Sequence, residues 1–224
     1  MLEAVIFDLD GVLIDSVASS YRVKSKILSE DYGIDITRVP DPHNEGHKGG
    51  SLRTLLTAVK ASHDRDINEA EFTKKIIDSV YEDLKENNVS VDPSLLRFLH
   101  DLKDHRVPLG VATSALGQSA RNKLSILGIT DFFAAVVTAD VILRHKPHPE
   151  AYLATLDQLK VAPTKSIAFE DSAAGAASAL AAGLTVIGCT MFTANKEPLP
   201  GAALTIDNWN EINYKRLVQT LTLR

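Results

Sequence analysis

Six short apolar runs constrain this chain more than any other feature: Ala4–Asp8, Pro108–Thr113, Ala134–Thr138, Ser166–Phe169, Thr185–Cys189 and a weaker Ala203–Ile206. Most carry few charges, and stretches with helical spacing separate them. Strands that lack polar alternation are covered on both faces, and alternation of strand with helix joins parallel neighbours by crossovers. The expected fold is therefore α/β with a parallel sheet.

The helices between these runs are well punctuated. Asp92-Pro93 reads as an N-cap followed by proline in the first turn, with Leu95, Leu99 and Leu102 recurring at helical spacing. Ala120, Leu124 and Leu127 form the next apolar stripe, closed by Gly128, and Tyr152, Leu156 and Leu159 form another. Ser172 is placed to cap a helix with seven alanines in residues 173–182, a composition suited to close approach to a sheet, and Gly183 ends it.

Residues 16–88 differ. They hold no convincing strand, yet they separate the first strand from the second by about 100 residues, far more than a crossover needs. Helices are expected over Ser19–Tyr32, Ser51–Ser62 and Asn68–Lys85. The last opens on a possible capping box, Asn68 with Glu71, and carries Phe72, Ile76, Val80 and Leu84 at four-residue intervals. The simplest organisation is a Rossmann-like three-layer α/β/α core over residues 1–15 and 89–224, with a helical cap domain at 16–88 inserted after the first strand as a lid.

A chain of 224 residues suits such a core with one appended domain. Its net charge of −5 offers no global attraction to nucleic acid or to an anionic membrane. With Cys189 as the only cysteine, no disulfide forms within the chain. No run approaches membrane-spanning length and no signal-type segment precedes "AVIF", so a cytoplasmic protein, monomeric or weakly dimeric, is expected.

The chemically active side chains fall at, or just past, the C-terminal ends of the expected strands. Asp8 and Asp10 follow the first, Thr113 and Ser114 end the second, Lys146 lies after the third, and Glu170-Asp171 end the fourth. Ligands of open α/β sheets bind along that edge. Hydroxyls, a lysine and four carboxylates converging there describe a phosphate site with a divalent metal. A carboxylate attacking phosphorus splits hydrolysis into two steps through an aspartyl phosphate. A hard cation such as Mg²⁺, held by oxygen ligands, screens the repulsion between that carboxylate and the phosphate. Asp10, two residues on, is placed to act as general acid and then general base, while Thr113 or Ser114 can donate to the phosphoryl oxygens and Lys146 supplies positive charge to them and to Asp8.

Taken singly, each motif has a plainer meaning. "DLDG" is also a strand-to-turn junction, "TS" a helix cap, "HKPHPE" a solvated loop, and "EDS" an acidic helix start. Four such coincidences in this order along one sheet edge favour the site.

The same residues resemble the four motifs of the haloacid dehalogenase superfamily, whose members are mostly Mg²⁺-dependent phosphatases. "FDLDGVLIDS", "GVATSA", "HKPHPE" and "IAFEDSAAGAASALAAG" are similar to its first to fourth motifs in turn. The resemblance implies Asp8 as nucleophile, Asp10 as acid/base and backbone metal ligand, and Thr113 as phosphate binder. It makes Lys146 the charge neutraliser and Asp171 a metal ligand, with Glu170 assisting it. Metal binding is thus assigned to Asp8, Asp10, Asp171 and Glu170, and the substrate to Thr113, Ser114, Lys146 and Lys48. The cofactor is Mg²⁺ and the partner a small phosphorylated metabolite, a sugar or polyol phosphate.

"DGV" and "FEDS" are most similar to the β-phosphoglucomutase-like subgroup, whose mutases carry a histidine ten residues after the second aspartate. This chain has Ser20 there. "HKGGSLR" resembles the mutase substrate loop, with Lys48 matching its lysine and Arg53 one residue beyond the expected arginine. These departures favour a phosphatase. A phosphoglucomutase-type isomerase, a non-catalytic phosphometabolite-binding module and a phosphonoacetaldehyde-type hydrolase with Lys48 as Schiff base are the alternatives. His43, His47, His145 and His148 match no compact zinc spacing. Cys189 reads as inert core, Trp209 as an anchor for the C-terminal helix, and Asp15 as a hinge or helix cap.

Overall fold

A computed structural model describes residues 2–40, 52–193 and 196–222. The chain divides into two compact units, Ser16–Val89 and Met1–Asp15 with Ser90–Arg224. The expectations for Lys48, His43 and His47 lie outside the described residues, as does that for the side chain of Arg53.

The inserted unit is helical, with α1 (Val17–Tyr32), α2 (Leu52–His63) and α3 (Glu69–Glu86). Gly33 ends α1 in the left-handed conformation, at φ 66°. Phe72, Ile76, Val80 and Leu84 form the buried face of α3. Asn68 Oδ1 accepts from the backbone N–H groups of Ala70 and Glu71 at 3.0 and 3.1 Å, the N-cap half of the expected capping box. Asp83 of α3 holds α1 by accepting from Arg22 Nη2 at 2.6 Å and from the Ser19 hydroxyl. Ser16, and not Asp15, occupies the N-cap position of α1. The helix begins one residue later than the Asp15 reading required.

The second unit contains six parallel strands, β1 (Ala4–Phe7), β2 (Leu109–Ala112), β3 (Ala135–Val137), β4 (Ser166–Glu170), β5 (Thr185–Cys189) and β6 (Leu204–Ile206). Their order across the sheet is β3-β2-β1-β4-β5-β6. Helices α4 (Pro93–Asp104), α5 (Gly117–Leu127), α6 (Glu150–Leu159), α7 (Ala173–Ala181) and α8 (Tyr214–Thr222) complete the unit.

Side-chain alternation gives the sheet two buried faces. Ile6, Ala112, Val137, Ala168 and Val186 share one core with Tyr152 and Leu156 of α6 and Ala176 and Ala179 of α7. The neighbouring positions Phe7 and Phe169 stack at 5.1 Å and join Phe98 of α4 and Trp209. Burying each such ring is worth about 1.5–3 kcal/mol. This is the Rossmann-like α/β architecture expected from the apolar runs.

Trp209 sits in a short 3₁₀ turn, Trp209–Glu211, ahead of α8, and stacks on Phe98 at 5.6 Å. It therefore pins the approach to the C-terminal helix from outside that helix. Its indole N–H is the one fully buried side-chain polar atom lacking a hydrogen-bond partner among the described residues. No described helix is long and apolar enough to cross a membrane.

Candidate active site

The strand order reverses at the β1/β4 pair, the place where open α/β sheets carry their ligand crevice. Phe7 lies in register with Phe169, so Asp8 and Glu170 emerge side by side. The Asp8 backbone N–H donates to the Phe169 carbonyl at 2.9 Å, carrying the pairing one residue past the end of β1. Asp8 is buried and Glu170 wholly so.

Lys146 closes this pair. Its Nζ donates to Asp8 Oδ1 at 2.8 Å and to Glu170 Oε1 at 2.5 Å. The loop carrying it is tied down on either side. Glu150 accepts from the backbone N–H groups of Leu143 and Arg144 at 2.7 and 3.2 Å, and Ser178 Oγ of α7 donates to the His148 carbonyl at 2.7 Å. Glu170 accepts two further hydrogen bonds, from Tyr152 Oη at 2.6 Å and from Ser172 Oγ at 3.3 Å. Ser172 also caps α7, as its position in the sequence suggested, accepting from the Gly175 N–H at 3.1 Å. Glycine is required at 175, because a Cβ there would run into the Glu170 carboxylate.

Asp171 lies against Gly11, whose φ of 83° belongs to the region glycine favours. A Cβ at residue 11 would collide with the Asp171 carboxylate. The glycine of "DLDG" thus makes both the turn and the room for Asp171. Ligand oxygens of Asp8, Glu170 and Asp171 all lie within 4.8 Å of one another.

Asp10 is oriented differently. It sits in a tight turn in which the Leu9 carbonyl accepts from Leu13 and Ile14 at 3.0 and 3.2 Å. Its Oδ1 accepts from Lys123 Nζ of α5 at 2.5 Å. Thr113 is buried at the end of β2, and its Oγ1 accepts from the Ala115 N–H at 3.0 Å. Ser114 is exposed. Neither residue caps α5, whose N-cap position is Leu116. Both stand at the same sheet edge as Asp8, although among the described residues no hydrogen bond joins them to the carboxylates.

The electrostatics expose an imbalance. Burial pushes the Asp8 carboxyl above the usual carboxylate range; Lys146 pulls it back, while Glu170 pushes it further up. Burial raises Asp171 too, reinforced by Asp8 and then Glu170. Burial opposes the charge of Lys146, yet Asp8 and Glu170 together hold its ammonium above the usual lysine value. One lysine thus faces three clustered carboxylates, and a further positive charge would relieve the remainder. The donor set is all oxygen and fits a hard divalent cation. Since Glu170 already accepts from three donors, Asp8 and Asp171 are the carboxylates least offset. Among the described residues His145 and His148 join no such cluster.

Sequence reasoning missed Lys123 and the hydroxyl of Tyr152. Lys123 had a signal: it lies three residues after Ala120, on the stripe that buries Ala120, Leu124 and Leu127. A lysine on an apolar stripe needs a partner. Tyr152 read correctly as core but gave no hint of its bond to Glu170.

Comparison with known proteins places this arrangement. Residues 5–189 match the family of haloacid dehalogenase-like hydrolases. The chain belongs to that family. A phosphorylated carbohydrates phosphatase from Thermotoga maritima is 34% identical over 190 residues, 82% of each chain. A validoxylamine A 7'-phosphate phosphatase from Streptomyces hygroscopicus subsp. limoneus is 28% identical over 97% of this chain and 99% of the relative. Among solved structures, a β-phosphoglucomutase from Clostridium difficile superposes with a TM-score of 0.82 at 27% identity, covering 100% of this chain and 98% of that one. This haloacid dehalogenase-like hydrolase is accordingly an enzyme, a phosphoric monoester hydrolase.

Proposed function

We propose that the chain is a Mg²⁺-dependent phosphatase of a small phosphorylated metabolite, a sugar or polyol phosphate, working through an aspartyl phosphate on Asp8. The observation that carries this reading is the buried Asp8 carboxylate, with Lys146 Nζ at 2.8 Å from one oxygen and Asp171 in the same acidic cluster. A carboxylate kept from water, beside a fixed cation and a second carboxylate, is built for nucleophilic attack with its charge screened.

In the first step an Asp8 oxygen bonds to phosphorus as the bond from phosphorus to the alcohol oxygen breaks. Asp10 gives that oxygen its proton. Asp10, now a carboxylate, takes a proton from water as the water oxygen bonds to phosphorus and the Asp8 ester breaks, freeing phosphate. Lys146 holds Asp8 and faces the phosphoryl oxygens, Thr113 and Ser114 donate to them, and Glu170 with Tyr152 fixes Lys146. Asp8 and Asp171, with the backbone of Asp10, would hold Mg²⁺, which supplies positive charge where the phosphate and the carboxylates meet. The inserted helical unit is read as the family's cap domain from its place in the chain.

The names of the two phosphatase relatives support a sugar-like phosphate. A screen of phosphate release over a panel of phosphorylated metabolites, with and without Mg²⁺, tests the activity. Asp8→Asn is expected to abolish turnover while keeping the fold; near-normal Mg²⁺-dependent activity in that variant would sink the mechanism. The likeness to a β-phosphoglucomutase supports a second reading, an isomerase. Ser20, in place of the mutase histidine, weighs against it. Incubation with β-glucose 1-phosphate separates the two, since free phosphate indicates the phosphatase and glucose 6-phosphate the mutase.

A further inference from the structure

Lys123 is buried to 7% exposure on the inner face of α5, among Ala120, Leu124 and Leu127. Its Nζ lies 2.5 Å from Asp10 Oδ1, and the Asp10 side chain is about one-third exposed. Placing a lysine there immobilises a long side chain, at a cost in rotamer entropy, and removes an ammonium from water. Leucine would fill the same stripe at no such cost. The ammonium is thus retained for what it touches, and it touches one oxygen of one carboxylate.

We propose that Lys123 is a positioning residue for Asp10: by binding Oδ1 it fixes the rotation of the carboxyl group, so that the proton given to the leaving alcohol travels on Oδ2. This rests on the reading of Asp10 as acid/base above. Anchoring Oδ1 limits the directions in which the carboxyl group can present its proton, and proton transfer requires that direction over hydrogen-bond distances. Lys123 comes from α5 and Lys146 from the loop before α6, so separate cations serve the two aspartates.

The test is the dependence of kcat/KM on the leaving group, in the full chain with Mg²⁺. A sugar phosphate from the release screen needs its alcohol protonated, whereas the nitrophenolate of p-nitrophenyl phosphate leaves unaided. Asp10→Asn is expected to lower kcat/KM for the sugar phosphate by about 100-fold or more and for the aryl ester by less than about 10-fold. Lys123→Met should reproduce that selective loss, and Lys123→Arg should restore most of it. Equal losses on both esters in Lys123→Met, or none, would overturn the inference while a selective Asp10→Asn leaves the acid/base reading standing. An unselective Asp10→Asn overturns both, as does a wild-type chain that hydrolyses neither ester. If Lys123→Met and Lys123→Gln both fail to fold, the lysine is structural and the inference falls.

Discussion

Glu170 Oε1 lies 2.5 Å from Lys146 Nζ, and the same ammonium donates to Asp8 Oδ1 at 2.8 Å. The three charges come from separate segments, the residue after β1, the loop before α6 and the last residue of β4, and are all nearly or fully buried, so the lysine is as much a structural as a chemical element. Replacing it with methionine leaves two carboxylates without their cation. Lys146→Met should lower the unfolding free energy by about 3–5 kcal/mol, read from urea denaturation, and abolish turnover. Adding Glu170→Gln removes one of the stranded charges while keeping an acceptor for Tyr152 Oη. The double variant should regain much of the stability and none of the activity. A double variant as unstable as the single would assign the loss to packing.

Gly11 and Gly33 both have positive φ, 83° and 66°, but only Gly11 faces a functional group. A Cβ at Gly33 meets nothing within 4 Å, whereas one at Gly11 meets the Asp171 carboxylate. Gly33→Ala should therefore show backbone strain alone, about 1 kcal/mol, with turnover unchanged. Gly11→Ala carries the same strain and displaces Asp171, so its turnover should fall at least about 10-fold. Thermal unfolding alongside phosphate-release kinetics separates the two effects.

At the start of α4, Asp92 Oδ1 accepts from the Ser94 N–H at 2.6 Å and from Ser94 Oγ at 2.5 Å. The Ser94 hydroxyl, chiefly, holds the Asp92 carboxyl below its ordinary value of 3.8, against some burial. A depressed folded value means that the stabilisation is complete above the unfolded pKa and disappears as pH falls through the folded one. Asp92→Ala should thus cost about 1 kcal/mol at neutral pH, with the gap to wild type closing as pH drops below 3.8. Asp92→Asn keeps an acceptor at every pH, and its offset from alanine should not close.

The strands were legible because four of the six are buried along their whole length, and the structure moves their ends by about one residue. Pro108 shows why: it lacks an N–H, so the paired residues of β2 begin at Leu109, although the Pro108 carbonyl still accepts from Val5 at 3.1 Å. The convergence of Asp8, Lys146, Glu170 and Asp171 was legible because parallel strands deliver their C-terminal residues to one edge. What stayed hidden depends on which face of a helix meets which loop. Lys123 finds Asp10 across 113 positions of sequence, and Tyr152 finds Glu170 across 18. Periodicity marks both as inward-facing but cannot name a partner. Of the two readings of Asp15, hinge or helix cap, the cap falls because Ser16 takes the N-cap position of α1, and two residues of capping type side by side are told apart only by where the helix starts.

Asp171 gives the sharpest test of the cation. Burial, Asp8 and Glu170 all push its carboxyl upward, so in metal-free protein its charge opposes folding. Asp171→Asn removes that repulsion and keeps the volume. The metal-free variant should accordingly unfold at a higher temperature than metal-free wild type. Mg²⁺ should reverse the ranking. Wild type gains RT ln(1 + [Mg²⁺]/Kd), about 2.7 kcal/mol at a hundredfold excess over Kd, while the variant has lost a carboxylate ligand and should gain little. Thermal melts of both proteins after chelation, and then across a Mg²⁺ titration, measure the crossing. Equal Mg²⁺ shifts in the two would remove Asp171 from the metal site. A metal-free variant less stable than wild type would mean that the carboxylate is held by contacts worth more than its repulsion.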